Sequence, residues 1–345
     1  MPIFKQDYKV LVRCFTFNHS KYIKDALDGF VMQKTDFPFV CAIVDDCSTD
    51  GEQDVIKSYL DTEFNMDSAE LCETDYANII VAKHKTNINC SFAVFFLKYN
   101  HYSIKKTKAP YLLFLQDICS YEAICEGDDY WIDENKLQKQ YDWMEQHTDY
   151  SMCWHDAYCE SGGERVPYNR FREDCDVPFE DLVLKGGAFC PTAALFIRES
   201  CLNEYYSELQ KRKYTFHVGD YPLQIYMGYI GMVRYVKDTM SVYRICTEGS
   251  WTSKRIRMNI EEKIAHMKNK AVPLLDKMND MTSFKYDEVF QLQKKRVLLD
   301  LYLEIGYIKD ALKKYCEIDP KNRMNKMSFC KCLVKSLITK VRSKC

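Results

Sequence analysis

Through the first half of the chain, short continuous apolar runs alternate with segments whose apolar residues recur every three or four positions. Tyr8-Lys9-Val10-Leu11-Val12-Arg13-Cys14-Phe15 has the length and composition of a strand, and Thr16-Phe17-Asn18-His19-Ser20 the polarity of the turn leaving it. Ser20 stands where a helix N-cap belongs, because Tyr22, Ile23, Ala26, Leu27, Phe30 and Val31 follow at the spacing of one helical face. A second strand, 39–44, runs into Asp45-Asp46-Cys47-Ser48-Thr49-Asp50-Gly51, where Thr49 or Asp50 is placed to cap an amphipathic segment over 52–60. Strand, helix, strand, helix predicts a parallel, doubly wound sheet. Asn78-Ile79-Ile80-Val81-Ala82-Lys83 reads as a third strand, after an acidic surface excursion over 61–75. A polar loop with Asn87 and Asn89 follows, then an aromatic helix over 92–99. Residues 110–117 imitate a strand ending in Asp117.

The stretch that organises the chain is Ala123-Ile124-Cys125-Glu126-Gly127-Asp128-Asp129-Tyr130-Trp131, an apolar run that breaks into three carboxylates ahead of a helix beginning near Asn135. Acids at this point sit where a strand leaves the sheet, which is where open α/β sheets bind ligands. Glu126 and Asp128, two apart on an extended segment, point the same way and can share a hard cation through oxygen. The bland alternative is a solvated acidic turn capping the next helix. Asp117 lacks the following Tyr-Trp and helix, so Asp128 is preferred to it. Asp46 and Ser48, also at a strand's end, can receive a base and ribose. Neither G-x-G-x-x-G nor a P-loop follows any predicted strand, so a nucleotide here would be held by side chains and a metal.

At 345 residues, with a net charge of −2, the chain can bury a full core and has no general basic character for nucleic acid. Its 17 cysteines are an odd number without a C-x-x-C pair, only Cys330-x-Cys332, and read as buried free thiols of a reducing cytoplasm. No signal segment follows Met1 and no apolar run is long enough to span a bilayer, so the expected protein is cytoplasmic, or peripheral on the inner membrane face.

Six blocks in order resemble a family 2 glycosyltransferase of the GT-A fold: Phe15-Thr16-Phe17-Asn18, Met32-Gln33-Lys34-Thr35, Asp45-Asp46-Cys47-Ser48-Thr49-Asp50-Gly51, Glu126-Gly127-Asp128-Asp129-Tyr130-Trp131, Gly219-Asp220-Tyr221-Pro222-Leu223 and Met240-Ser241-Val242-Tyr243-Arg244-Ile245. They cover residues 8–255. The resemblance implies an α/β fold of GT-A type, with a Rossmann-like, mostly parallel sheet flanked by helices. It places Thr16, Asn18, Asp46 and Ser48 around the nucleoside. It gives Glu126 and Asp128, with Asp129 beside them, the ribose and a Mn2+ or Mg2+ ion, Asp128 being the direct ligand. Asp220 falls on the base that deprotonates the acceptor hydroxyl, with a helix N-cap ahead of Pro222 as the alternative, and the reaction inverts the anomeric carbon. The chain departs from the pattern at Glu126, where many relatives have Asp, at Cys90 in place of a glycine, and at Cys246 in place of a histidine; residues 114–121 resemble an insertion.

Residues 151–196 turn polar and loop-rich, with Trp154, His155 and Tyr158 as candidates for a sugar face. Trp131 and Trp251 are stronger candidates because they adjoin matched blocks. Residues 258–275, 286–304 and 308–316 are helical by spacing, so the expected domains are 1–255 for the transferase and 256–345 for a helical appendage. After Asp319 there is no acid and eight cations accumulate, while Met327, Cys330, Val334, Leu337, Ile338 and Val341 share a helical face. That basic amphipathic helix either meets an anionic membrane or packs on the preceding hairpin. The function implied is transfer of a sugar, from a uridine-linked donor, to a glycan or lipid-linked glycan of an envelope polysaccharide. Two rivals stay open: a sugar nucleotidyltransferase, whose Gly-rich loop is absent, and a non-catalytic nucleotide-sugar-binding subunit.

Overall fold

The computed structural model describes residues 7–245, 247 and 255–342, and side chains only as far as 337 at the carboxyl end. Cys246 and Trp251 lie outside the described residues. The fold is mixed α/β. Its centre is four parallel strands, β1 (Val10–Thr16), β2 (Phe39–Asp45), β5 (Cys90–Leu97) and β6 (Tyr121–Ile124), in the order β6-β1-β2-β5. On one side β4 (Ala77–Lys83) and the edge strand β3 (Glu70–Glu73) add antiparallel, turning the expected acidic excursion into a hairpin. On the other, β11 (Phe196–Arg198) joins β6 antiparallel and leads to β8 (Tyr150–Ser161), β12 (Met232–Arg244) and β10 (Cys175–Asp176). β7 (Tyr130–Trp131) pairs with β12, and β9 (Glu164–Pro167) with β8, to make a twelve-stranded sheet.

Alternation of side chains builds two layers. Val10, Val12, Cys14, Phe39, Cys41 and Ile43 face helices α1 (Ile23–Val31), α2 (Glu52–Glu63) and α4 (Lys136–Gln146), meeting Ile23, Leu27, Phe30, Ile56 and Leu137. Leu11, Val40, Ala42 and Val44 face the opposite side, against Tyr111, Leu112 and Leu115. α1 lies so close to β7 that a Cβ on Gly29 would stand 2.9 Å from the Trp131 backbone nitrogen.

Four expectations change. Residues 92–99 are not a helix: β5 is a fully buried strand, its Phe92 and Val94 in one layer and its Phe95 and Leu97 in the other. A continuous apolar run carries no period, and burial on both faces gives such a run a strand's environment. Residues 110–117 form no strand but a 3-10 turn (Ala109–Tyr111) and a short helix, α3 (Leu113–Gln116), because β6 occupies the place beside β1 and Tyr111, Leu112 and Leu115 cover a sheet face. The region after Ser151 is not loop-rich at its start: β8 is buried and pairs in parallel with β12. Its polar groups are met locally, Asp156 accepting the N–H groups of Ala157 (3.0 Å) and Asn169 (3.1 Å). Ser20 does not cap α1, which starts at Ile23 without a side-chain cap; its N–H donates to Asp50 instead.

The chain divides into two compact units. The first holds the sheet and α1 to α4. The second holds α5 (Phe179–Leu184), α7 (Asp220–Ile230), α8 (Ile260–His266), α9 (Val272–Met281), α10 (Asp287–Glu304), α11 (Ile308–Glu317) and α12 (Lys326–Arg342). Two segments expected in the transferase domain, α5 and α7, therefore group with the carboxyl-terminal helices: Phe179 stacks on Tyr286 with ring centres 3.9 Å apart. Described cysteines are free thiols, and no helix among the described residues is long and apolar enough to cross a membrane.

α6 (Glu199–Arg212) begins with a buried carboxyl that has no hydrogen-bond partner, and burial, with Glu122 nearby, pushes Glu199 up to about 8. The folded chain then holds a proton that the unfolded chain releases above the ordinary value of 4.5, so this group costs stability as pH rises from 4.5 to about 8. Glu199→Gln should make the protein more stable than wild type at pH 8 and leave it nearly unchanged at pH 4.5, in urea unfolding at each pH.

Candidate functional site

The sheet's strand order reverses between β1 and β6: the chain adds β2 and β5 on one side of β1, then returns to lay β6 on the other. The loops leaving β1, β2 and β6 meet at their carboxyl ends. Backbone bonds join them, Gly127 N–H to Phe15 O (3.2 Å) and Asp46 N–H to Thr16 O (3.0 Å). Only glycine fits at 127, where a Cβ would overlap the Thr16 side chain.

Asn18 and Cys47 take left-handed backbone, φ 58° and 62°, which lets the first two loops interlock. Asn18 N–H donates to Ser48 Oγ (2.9 Å), and Thr49 N–H returns a bond to Asn18 Oδ1 (2.8 Å). The Ser48 hydroxyl donates to Glu52 (2.8 Å), which also receives His19 N–H (2.8 Å) and the Thr16 hydroxyl. Glu52 is fully buried, and burial raises its pKa. Sequence reasoning passed over it because an acid at a helix start has an ordinary explanation; its place directly after Asp50-Gly51 was the available signal.

Asp46 is also buried. Its oxygens accept from His101 N–H (2.7 Å), Tyr102 N–H (3.1 Å) and Lys108 Nζ (3.0 Å), so it pins the segment after β5 over the end of β2. Thr16, Asn18, Asp46 and Ser48 are thus brought together, each bonded to a neighbouring loop.

The three acids after β6 have different surroundings. Glu126 is exposed, and its carbonyl accepts Asp129 N–H (3.1 Å) to close the turn. Asp128 is partly exposed; its Oδ2 accepts the Thr247 hydroxyl (2.8 Å) and lies 3.9 Å from His19 Nε2. Asp129 is buried and accepts Arg244 N–H (2.8 Å); burial and the adjacent Asp128 hold its carboxyl well above the usual range. Arg244, quoted in the sixth block without a role, donates to Asp128 O (3.0 Å), Glu160 (3.2 Å) and Asp25, and lies 4.3 Å from the centre of the Tyr130 ring. It ties the acidic turn to α1 and β8.

Other candidates are placed differently. Trp131 is core, edge-on to Phe30 at 5.0 Å, its indole N–H donating to Ala193 O (2.8 Å). His155 is fully buried and burial holds it neutral, while Trp154 is enclosed by Phe189 and Tyr235. Tyr158 is half-buried on β8, and Asp117 is exposed at the end of α3. Cys90 opens β5 with its N–H on Asn87 O (3.0 Å), and the loop before it is held by Asn87, which donates to Val31 O and Gln33 O. Asp220 belongs to the second unit, at the start of α7; burial raises its pKa. Gly187 packs against it: a Cβ there would stand 3.0 Å from Tyr221 Cβ and 3.3 Å from Asp220 Oδ2.

No family model matches the chain. Over 242 residues it is 26% identical to the uncharacterized proteins Rv1520 of Mycobacterium tuberculosis and Mb1547 of Mycobacterium bovis, the match taking in 69% of this chain. The match covers 59% of the length of these curated relatives. Similar solved structures include S. aureus TarS 1–349 in complex with UDP-GlcNAc, at 16% identity over 95% of this chain and 89% of that one, TM-score 0.47. Another is the mannosyltransferase PcManGT from Pyrobaculum calidifontis in complex with GDP-Man and Mn2+, at 13% identity over 98% and 81%, TM-score 0.48. At these values the likeness carries no chemistry, which has to come from the side chains.

Glu52 makes a direct test of this geometry. Glu52→Ala strands two hydroxyls and an N–H and should cost about 3 kcal/mol in urea unfolding. Glu52→Gln should cost under about 1 kcal/mol, since the Thr16 hydroxyl can turn to His19 Nδ1, 3.2 Å away.

Proposed function

We propose that this chain is a metal-dependent inverting glycosyltransferase that moves a sugar from a nucleoside-diphosphate donor to a hydroxyl of a glycan acceptor. The observation that supports it most is the Glu126-Gly127-Asp128 turn at the point where the strand order reverses, beside the interlocked loops of β1 and β2. An open α/β sheet offers its ligand crevice there. The reading assigns the nucleoside to the loops that Thr16, Asn18, Asp46 and Ser48 hold in place, and the ribose and diphosphate to the edge carrying Glu126 and Asp128. Asp129 supports that edge through Arg244.

Among the described residues no group of three or more His, Cys, Asp or Glu side chains forms a metal site by itself. A magnesium- or manganese-type ion commonly takes one or two carboxylates and completes its shell with water and substrate phosphate oxygens. Asp128, with Glu126 in support, would hold it, and the ion would offset the charge gathering on the diphosphate as it departs.

Asp220 is assigned the base. The acceptor oxygen bonds to the anomeric carbon from the face opposite the diphosphate, its proton passes to the Asp220 carboxylate, and the electron pair of the breaking bond leaves on the β-phosphate. Burial raises the pKa of Asp220, which brings an aspartate closer to the range useful for proton transfer.

The test is a panel of UDP- and GDP-linked sugars with Mn2+ and glycan acceptors, scored for release of the nucleoside diphosphate. Release with one donor is expected; none with any donor contradicts the reading. Asp220→Asn should lower turnover by about a hundredfold or more and leave donor affinity unchanged. The product's anomeric configuration, read by NMR, should be opposite to the donor's, and retention would overturn the assignment of Asp220.

A further inference from the structure

The carboxyl-terminal helix α12 uses one face to fold and leaves another uncovered. Phe329 is 4% exposed and stacks on Tyr315 with ring centres 3.9 Å apart, in a cluster with Leu299, Leu303, Ala311 and Ile318, with Cys332 and Leu333 packed against it. The stripe visible in the sequence is a different face. Met327 is 71% exposed, Val334 57% and Leu337 48%, and Cys330 between them is also exposed. At 100° per residue this stripe lies about 130° round the helix from the packed face and runs about 15 Å along it. The helix is therefore docked, and the alternative in which this stripe packs on the preceding hairpin does not hold for its described side chains.

We propose that this face of α12 docks on an anionic lipid surface. Lys326 and Lys331 are exposed and flank the stripe on its two sides at helical spacing, and no acid occurs after Asp319 in a chain whose overall charge is −2. Cations on both margins of an apolar strip suit a helix lying in the membrane plane, with the strip at the acyl boundary and the ammonium groups at the headgroups. A protein partner is less well served. Four side chains on one helix offer far less than the roughly 800 Å² per partner of a stable interface, whereas shallow insertion backed by cations needs no such area. The proposal does not rest on the glycosyltransferase reading.

Flotation of the full chain, without donor, on phosphatidylcholine vesicles with and without phosphatidylglycerol tests it. Binding should require phosphatidylglycerol and weaken as salt is raised. Lys326→Glu with Lys331→Glu should reduce partitioning by about twenty-fold or more, at about fivefold per cation. Val334→Ser with Leu337→Ser, both exposed and therefore compatible with folding, should abolish binding with the far-UV circular dichroism unchanged. Failure of the folded wild-type chain to float with anionic vesicles overturns the proposal. So does a concentration-dependent dimer that the serine variant dissociates without any vesicle binding, which would give the face to a second copy.

Discussion

Glu52 receives the Thr16 and Ser48 hydroxyls and the His19 N–H on one fully buried carboxylate, and the shape of the site depends on that convergence. Thr16 and His19 lie on the loop from β1 to α1 and Ser48 on the loop after β2, so one side chain holds two loops together at the carboxyl ends of the central strands. Desolvation alone would make such a group costly, and the donors offset that cost only while all of them are in place. Gly127 adds the β6 loop to the same arrangement, because its missing side chain leaves room for Thr16.

The acidic turn divides its labour by burial. Asp129, enclosed and bonded to the Arg244 backbone, is committed to structure, while Asp128 and Glu126 remain accessible. Arg244 supplies the positive charge that lets the three acids of this turn, Glu126, Asp128 and Asp129, coexist with Asp25 and Glu160. Asp46 belongs to the committed class too, since its oxygens meet two N–H groups and a lysine. The residues the resemblance places around a nucleoside hold the loops in place first, and any ligand contact builds on loops they have already fixed.

Legibility followed local pattern. α1, α2 and the helices after residue 255 could be read because their apolar positions recur by turn, and β1 and β2 because each is a short apolar run that breaks into a polar turn. β5 could not, since the unbroken apolar run over 92–97 fits a buried strand or a buried helix equally, and its partners in the sheet decide it. Residues 110–117 misled by carrying a strand's composition into a place where β6 already covers the edge of β1. In the site, Glu126 and Asp128 stood out as polar residues ending an apolar run. Glu52 and Arg244 did not, because their importance lies in partners distant in sequence that no local pattern records. The face of α12 was legible as amphipathic, but which of its two apolar faces packs was settled by Phe329 meeting Tyr315.

The central claim is that the turn after β6 holds a diphosphate through a divalent ion. Calorimetric titration of UDP and GDP into wild-type protein and Asp128→Asn, each with and without Mn2+, tests it most directly. The account predicts that one nucleotide binds wild type at least about tenfold more tightly with the ion, and that this gain disappears in the variant. An equal gain in Asp128→Asn, or wild-type binding indifferent to the ion, would contradict it.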